Sequence, residues 1–311
     1  RSETSIKAIR LDVTRFDESG YIDKVDELLH STVLNAVVLD AKGDEGQVWF
    51  DSTVGKAKEM GAVDVVYTAE TLQAYKDDGI YLIARVVVFN DKIIAQYVPE
   101  SVYRYIDTGE VVSFDEGAML DPANAEVRSY NLDVAIDACR LGFDEIQYDY
   151  IRYPVSSPTN IDFMDGLGEK GRVSNIVDTL AEAKQELNAE GCSLSADIFA
   201  YSLIEHSDLG VERVYQHVDA VSPMSYPSLY SEGNLSYAIP YDHPYEIVFD
   251  TLQLGLNRGL DKENITAWLQ GYDYDSHAIS SQIKAAEDSG VSWMLWQIDG
   301  EYSADFFDLS Q

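Results

Sequence analysis

The chain has 311 residues, 46% of them hydrophobic, with 55 Asp and Glu against 22 Lys and Arg and a net charge of -33. That length holds either two ordinary domains or one large α/β barrel, and the apolar fraction suffices for a sizeable core. A field this negative repels phosphate backbones and anionic membranes, so nucleic acid is not expected as a partner, whereas uncharged sugars meet no penalty and cationic substrates are drawn in.

Short runs of branched and aromatic residues alternate with helix-like stretches along the whole chain, which is the pattern of repeated βα units around a parallel sheet. Eight strands are expected, at 6–13, 34–42, 79–89, 143–154, 192–201, 218–227, 265–272 and 291–299. Helical patterns fill the gaps, including YIDKVDELLHS, AETLQAYKDD and AEVRSYNLDVAIDACRLG. Several end on a glycine just before a strand, at Gly79, Gly142, Gly191, Gly259 and Gly290, the residue favoured past a helix C-terminus. Eight such units predict a (β/α)8 TIM barrel forming a single domain over 1–311. An open doubly wound sheet would carry a Gly-rich phosphate loop after its first strand, and neither GxGxxG nor GxxxxGK[ST] occurs. Long connections follow strands two and three, and such βα loops build the catalytic face of a barrel.

Cys139 and Cys192 lie at helix ends outside any CxxC or metal-spaced pattern, so a disulfide and buried free thiols both stand open, with buried thiols favoured. No apolar run approaches the roughly 18 residues of a membrane span. The chain opens on RSETSIKAIRLDV without a signal peptide, which fits a cytoplasmic protein or an exported one whose signal has been removed.

Polar residues at the C-terminal ends of barrel strands converge on one mouth. Here that set comprises Asp12, Asp40, Lys42, Arg85, Asp149, Arg152, Asp197, Met224, Tyr226, Gln270, Tyr272, Trp296, Gln297 and Asp299. A structural ion pair accounts for any one of these charges, but so many carboxylates together suggest a site. Asp149 and Asp197 lie near the ends of adjacent strands four and five, and paired carboxylates of different pKa are what glycosidic cleavage needs. Trp49, Trp268, Trp293 and Trp296, with 21 tyrosines, supply flat apolar faces that suit either sugar rings or the core. The five histidines show no HxH or HExxH spacing, so no metal and no cofactor are expected. His206, His243 and His277 fall in loops after strands five, six and seven, within reach of a substrate or simply exposed. A GxSxG nucleophile elbow is missing.

LNAVVLDAKGDEGQVWFDS, GIYLIARVVVFND, SADIFAYS and above all LGFDEIQYDYIRYP resemble the bacterial family of glycosidase-like TIM-barrel domains of unknown function, from strand one to WQID. GFDEIQYDYIRYP, MSYP and WMLWQID are more distantly similar to strands of chitinase-type barrels. In that comparison Asp149 falls on the last aspartate of the chitinase pattern, while Ile151 or Arg152 stands where the general-acid glutamate belongs. The resemblance therefore implies the fold, a sugar cleft and Asp149 as a site residue, but not the chitinase mechanism. It implies a glycoside hydrolase acting on an oligo- or polysaccharide, secreted or at the cell surface, with Asp149 as nucleophile or base and Asp197 as general acid. Asp40, Lys42, Arg85, Arg152, Tyr226, Gln270, Trp296 and Asp299 would line the cleft. A barrel that binds polysaccharide without cleaving it, or a lyase or isomerase using the same acids, remains open at this stage.

Overall fold

The computed structural model describes residues 4–114, 116–154, 160–163, 168–204 and 210–309. Eight parallel strands form a closed (β/α)8 barrel: β1 (Lys7–Leu11), β2 (Ala36–Lys42), β3 (Tyr81–Val87), β4 (Glu145–Asp149), β5 (Ser193–Phe199), β6 (Ala220–Met224), β7 (Thr266–Gln270) and β8 (Ser292–Trp296). Each lies inside its expected range. Closure comes from β8 pairing with β1 through Lys7↔Trp293, Ala8↔Met294 and Ile9↔Leu295.

Alternation along each strand sorts side chains into two layers. Ile9, Leu11, Val37, Leu39, Ile146, Leu194 and Trp293 face outward and are buried with helix residues such as Val25, Val134, Leu180, Leu252 and Ile283. Ala8, Val38, Ile83, Trp268 and Met294 face the barrel axis, with Tyr226 and Trp296 against them. The helix Ala125–Leu141 starts on Asn124, whose side chain accepts from the amides of Glu126 and Val127, and stops at Gly142, at φ 133°. Gly191, at φ 97°, likewise turns the helix Gly168–Glu190 into β5. These two stops set the strands that carry Asp149 and Asp197.

Three features differ from expectation. The connection after β2 is not simply a loop: it adds the strand Val48–Phe50 beside β2, the strand Val63–Tyr67 beside that one, and a short helix at Gly55–Glu59 between them, before the expected helix at Ala69–Asp77. The fourth strand stops at Asp149 rather than running to 154, because Tyr150 takes a left-handed backbone at φ 53°. Cys139 and Cys192 form a disulfide rather than buried free thiols, because adjacent βα units bring a helix end and a strand start side by side, with Cα atoms 6.0 Å apart. Above the mouth, Arg104–Tyr105 pairs antiparallel with Ile161–Asp162, tying the β3 loop to the β4 loop. Beneath that ribbon Tyr103, Val112, Met119 and Ile161 make a small apolar core of their own.

Candidate active site

Arg85 stands at the centre of the mouth. Its Nε donates to Asp149 Oδ2 at 2.8 Å, its Nη1 to Asp40 Oδ1 at 2.9 Å and its Nη2 to Asp44 Oδ1 at 2.8 Å. Strand register explains the meeting: Asp40 pairs with Arg85 and Val87 with Asp149, so three neighbouring strands point charges to one level. Arg10 from β1 donates to the other oxygen of Asp40. Burial raises the Asp40 pKa, but the two arginines outweigh it and hold the carboxyl below its ordinary value. Asp149 is tied at both oxygens, since the amide of Tyr150 donates to Oδ1 at 2.6 Å. The left-handed turn at Tyr150 makes that contact possible.

Asp197 occupies a different environment. It is buried on β5 and accepts a hydrogen bond at Oδ1 from Trp268 Nε1, at 2.9 Å. Burial, followed by the negative charge of Asp149, pushes its pKa well above the ordinary carboxylate value, with Arg85 and the indole N–H offsetting part of the rise. The register Gln147↔Ser195 and Tyr148↔Ala196 carries Asp149 and Asp197 to the same level on adjacent strands. Burial and then the charge of Asp197 push the Tyr226 phenol up as well, as a group against the same carboxylate must be.

The other sequence-expected residues divide. Trp296 packs edge-on against Trp268 at 5.4 Å and carries the guanidinium groups of Arg10 and Arg85 over its ring. Arg152 lies over the rings of Phe114, Tyr150 and Phe199 at 5.0–5.1 Å. Gln270 is buried, and its side chain holds the amide of Ser228 and the carbonyl of Tyr272, so it braces two loops. Lys42, expected in the cleft, does not reach it. A bulge between Asp40 and Lys42 turns the lysine outward, where it is fully buried, ion-paired with Asp91 at 2.7 Å and donating to the carbonyl of Val87. Asp299 is exposed and closes its own turn by accepting from the amide of Glu301, so it too stands apart from Arg85. Asp12 caps the turn that follows β1, and Gln297 donates to the carbonyl of Gly271. His243 is near Glu246 and packs at a tilt against the Tyr237 ring, His277 lies in the first turn of Ser276–Asp288, and His206 lies outside the described residues.

Arg10, Asp44 and the hydrogen-bonding role of Trp268 were not singled out from sequence. Arg10 could have been, because it shares the inward parity of Ala8 in a strand otherwise apolar on that face. Asp44 carried no such signal, since it lies in the loop beyond β2. Among the described residues, no group of three His, Cys, Asp or Glu side chains is arranged to hold a metal ion.

Residues 8–302 match the family model described as "Putative glycosyl hydrolase domain". Among solved structures, a hypothetical protein from Ruminiclostridium thermocellum ATCC 27405 is 32% identical, with a TM-score of 0.53 over 61% of this chain and 96% of its own. The PgaB (BpsB) glycoside hydrolase domain from Bordetella bronchiseptica superposes with a TM-score of 0.70 at 12% identity, over 96% of this chain and 95% of its own. Alpha-L-fucosidase isoenzyme 2 from Paenibacillus thiaminolyticus gives 0.67 at 12% identity, over 98% of this chain and 48% of its own. At that identity the last two show a shared barrel fold. No curated protein matches the chain in sequence. Matched over nearly its whole length, and carrying its acids at the mouth of a barrel, the chain belongs to this glycosyl hydrolase family.

Proposed function

We propose that the barrel, acting as one catalytic domain, hydrolyses O-glycosidic bonds of an oligo- or polysaccharide with Asp197 as general acid and Asp149 as nucleophile. The observation that carries the reading is the unequal pair: a buried Asp197 whose pKa is driven up, beside an Asp149 carboxylate held in an ion pair with Arg85. In the first step the Asp197 proton passes to the glycosidic oxygen as the C1–O bond breaks, and Asp149 Oδ attacks C1. Water then releases the sugar from Asp149, returning its proton to Asp197. A nucleophilic Asp149 requires its carboxyl to stand ~5–5.5 Å from that of Asp197, the separation of a retaining pair, rather than the ~6.5–9.5 Å of an inverting one. The Cys139–Cys192 disulfide supports a place in an oxidising compartment, at the cell surface or beyond it.

One observation favours a barrel that only binds glycans: Arg85 and the Tyr150 amide occupy both oxygens of Asp149. A carboxylate has about four lone-pair positions, so these contacts orient it and leave room for a reacting carbon. Release of new reducing ends from a panel of polysaccharides tests the choice. Hydrolysis, with the anomer first formed matching that of the substrate, supports the reading; binding without any release overturns it.

A further inference from the structure

Beside the two acids lies an aromatic cluster that the mechanism above does not use. Phe114 and Tyr150 meet edge to face with centroids 5.7 Å apart. The guanidinium of Arg152 packs over both and over Phe199. Tyr150 follows Asp149 directly and Phe199 lies two residues beyond Asp197, so the cluster is continuous with the carboxylate pair. Phe114 is 44% exposed, and Tyr150 and Phe199 are half-buried, so the three rings together present an apolar face at the surface. The position of Phe114 is nevertheless built. Asn90 is buried and donates through Nδ2 to the carbonyls of Phe114 and Asp44. The Arg104–Tyr105 ribbon and the apolar core beneath it brace the same loop. Trp268, Trp296 and Tyr226 sit deeper, toward the barrel axis. A glycan whose scissile bond reaches Asp149 and Asp197 therefore has the sugar on one side of that bond out against Phe114, since Trp268 and Tyr226 are buried.

We propose that Phe114, Tyr150 and Phe199, gathered round Arg152, form the subsite for the leaving-group sugar of a polysaccharide built from neutral sugars. The inference rests on the hydrolase reading for its orientation, though not for the existence of the surface. Aromatic faces bury the CH-rich face of a pyranose. Arg152 in the cluster disfavours a protonated amino sugar there, and a chain of net charge -33 disfavours a polyanion. A neutral sugar meets neither penalty.

Native affinity gels test this with the Asp149→Asn chain, which cannot turn substrate over. The gels contain hydroxyethyl cellulose, arabinoxylan, galactomannan, dextran, chitosan or polygalacturonate. Retardation by at least one neutral glycan is expected, weakened tenfold or more by adding Phe114→Ala and kept by Phe114→Trp. Tyr97→Ala, an exposed tyrosine on the same connection outside the cluster, should leave it unchanged. Retardation indifferent to Phe114→Ala, retardation by charged glycans alone, or none at all overturns the subsite. Reducing-end release by the unmodified chain is scored separately. Release with no Phe114 dependence removes the subsite and keeps the hydrolase; Phe114-dependent binding without release does the reverse.

Discussion

Trp268 donates its indole N–H to Asp197 at 2.9 Å in the interior of the barrel, one strand-end hydrogen bond between β7 and β5. The bond favours the charged form of Asp197 and so restrains a pKa that burial and Asp149 push up. Trp268→Phe removes the restraint. The alkaline limb of the pH–rate profile should move to higher pH, while the smaller ring and lost bond cost about 1–3 kcal/mol in urea denaturation. An unmoved limb would mean that Asp197 is not the acid whose ionisation ends activity.

Asp197 also links stability to pH. A carboxyl whose pKa is raised on folding contributes stability that is full below its unfolded pKa and declines as pH rises toward the folded value. Asp197→Asn should abolish that decline, making the variant relatively more stable at pH 8 than at pH 4 when both proteins are denatured in parallel. Asp40 acts in the opposite sense. Its lowered pKa gives stability that is present above the unfolded value and lost as pH falls through the folded one.

Arg85 is the shared partner of Asp40, Asp44 and Asp149. Arg85→Met leaves two buried acids short of a cation, and breaking such a network costs about 3–5 kcal/mol. Chemical denaturation checks the magnitude. Arg85→Lys keeps the charge but cannot reach three carboxylates in one plane, so it should recover only part of the loss.

Lys42 should matter for folding and not for substrate. Lys42→Met strands Asp91 in the outer layer, again at about 3–5 kcal/mol, and Lys42→Met with Asp91→Asn should regain much of it. For whichever variant remains folded, KM should stay within a factor of about two of the parent, well under the 1.4 kcal/mol of a tenfold change, because Lys42 is buried in the outer layer with Asp91. A large rise in KM would put Lys42 back in the cleft.

The barrel was legible because each strand and each helix repeats one simple pattern, down to the glycine stops before β4 and β5. What escaped were events smaller than the period. One extra residue between Asp40 and Lys42 reverses the lysine's face, and one positive φ at Tyr150 ends the strand and swings Arg152 into the aromatic cluster. Alternation alone would have kept Lys42 beside Asp40 and Arg152 behind the sheet. Asp149, Asp197, Arg85 and Asp40 lie before any such irregularity, so alternation alone gives the inward face on which the structure carries them. Asp44 and Phe114 come from loops whose course no local pattern sets, and Asp299 looked like a strand end only because its turn begins three residues after β8.

The most direct test of the account is reducing-end release by Asp149→Asn beside the parent chain on the same polysaccharide, with unfolding followed in both. Arg85 keeps Asp40 and Asp44 in the variant, so the melting temperature should change little. Release should fall by a factor of about 10³ or more, as expected when a group acting in the reaction itself is removed. Release at the parental rate from a folded Asp149→Asn chain would contradict the assignment of the carboxylate at the end of β4.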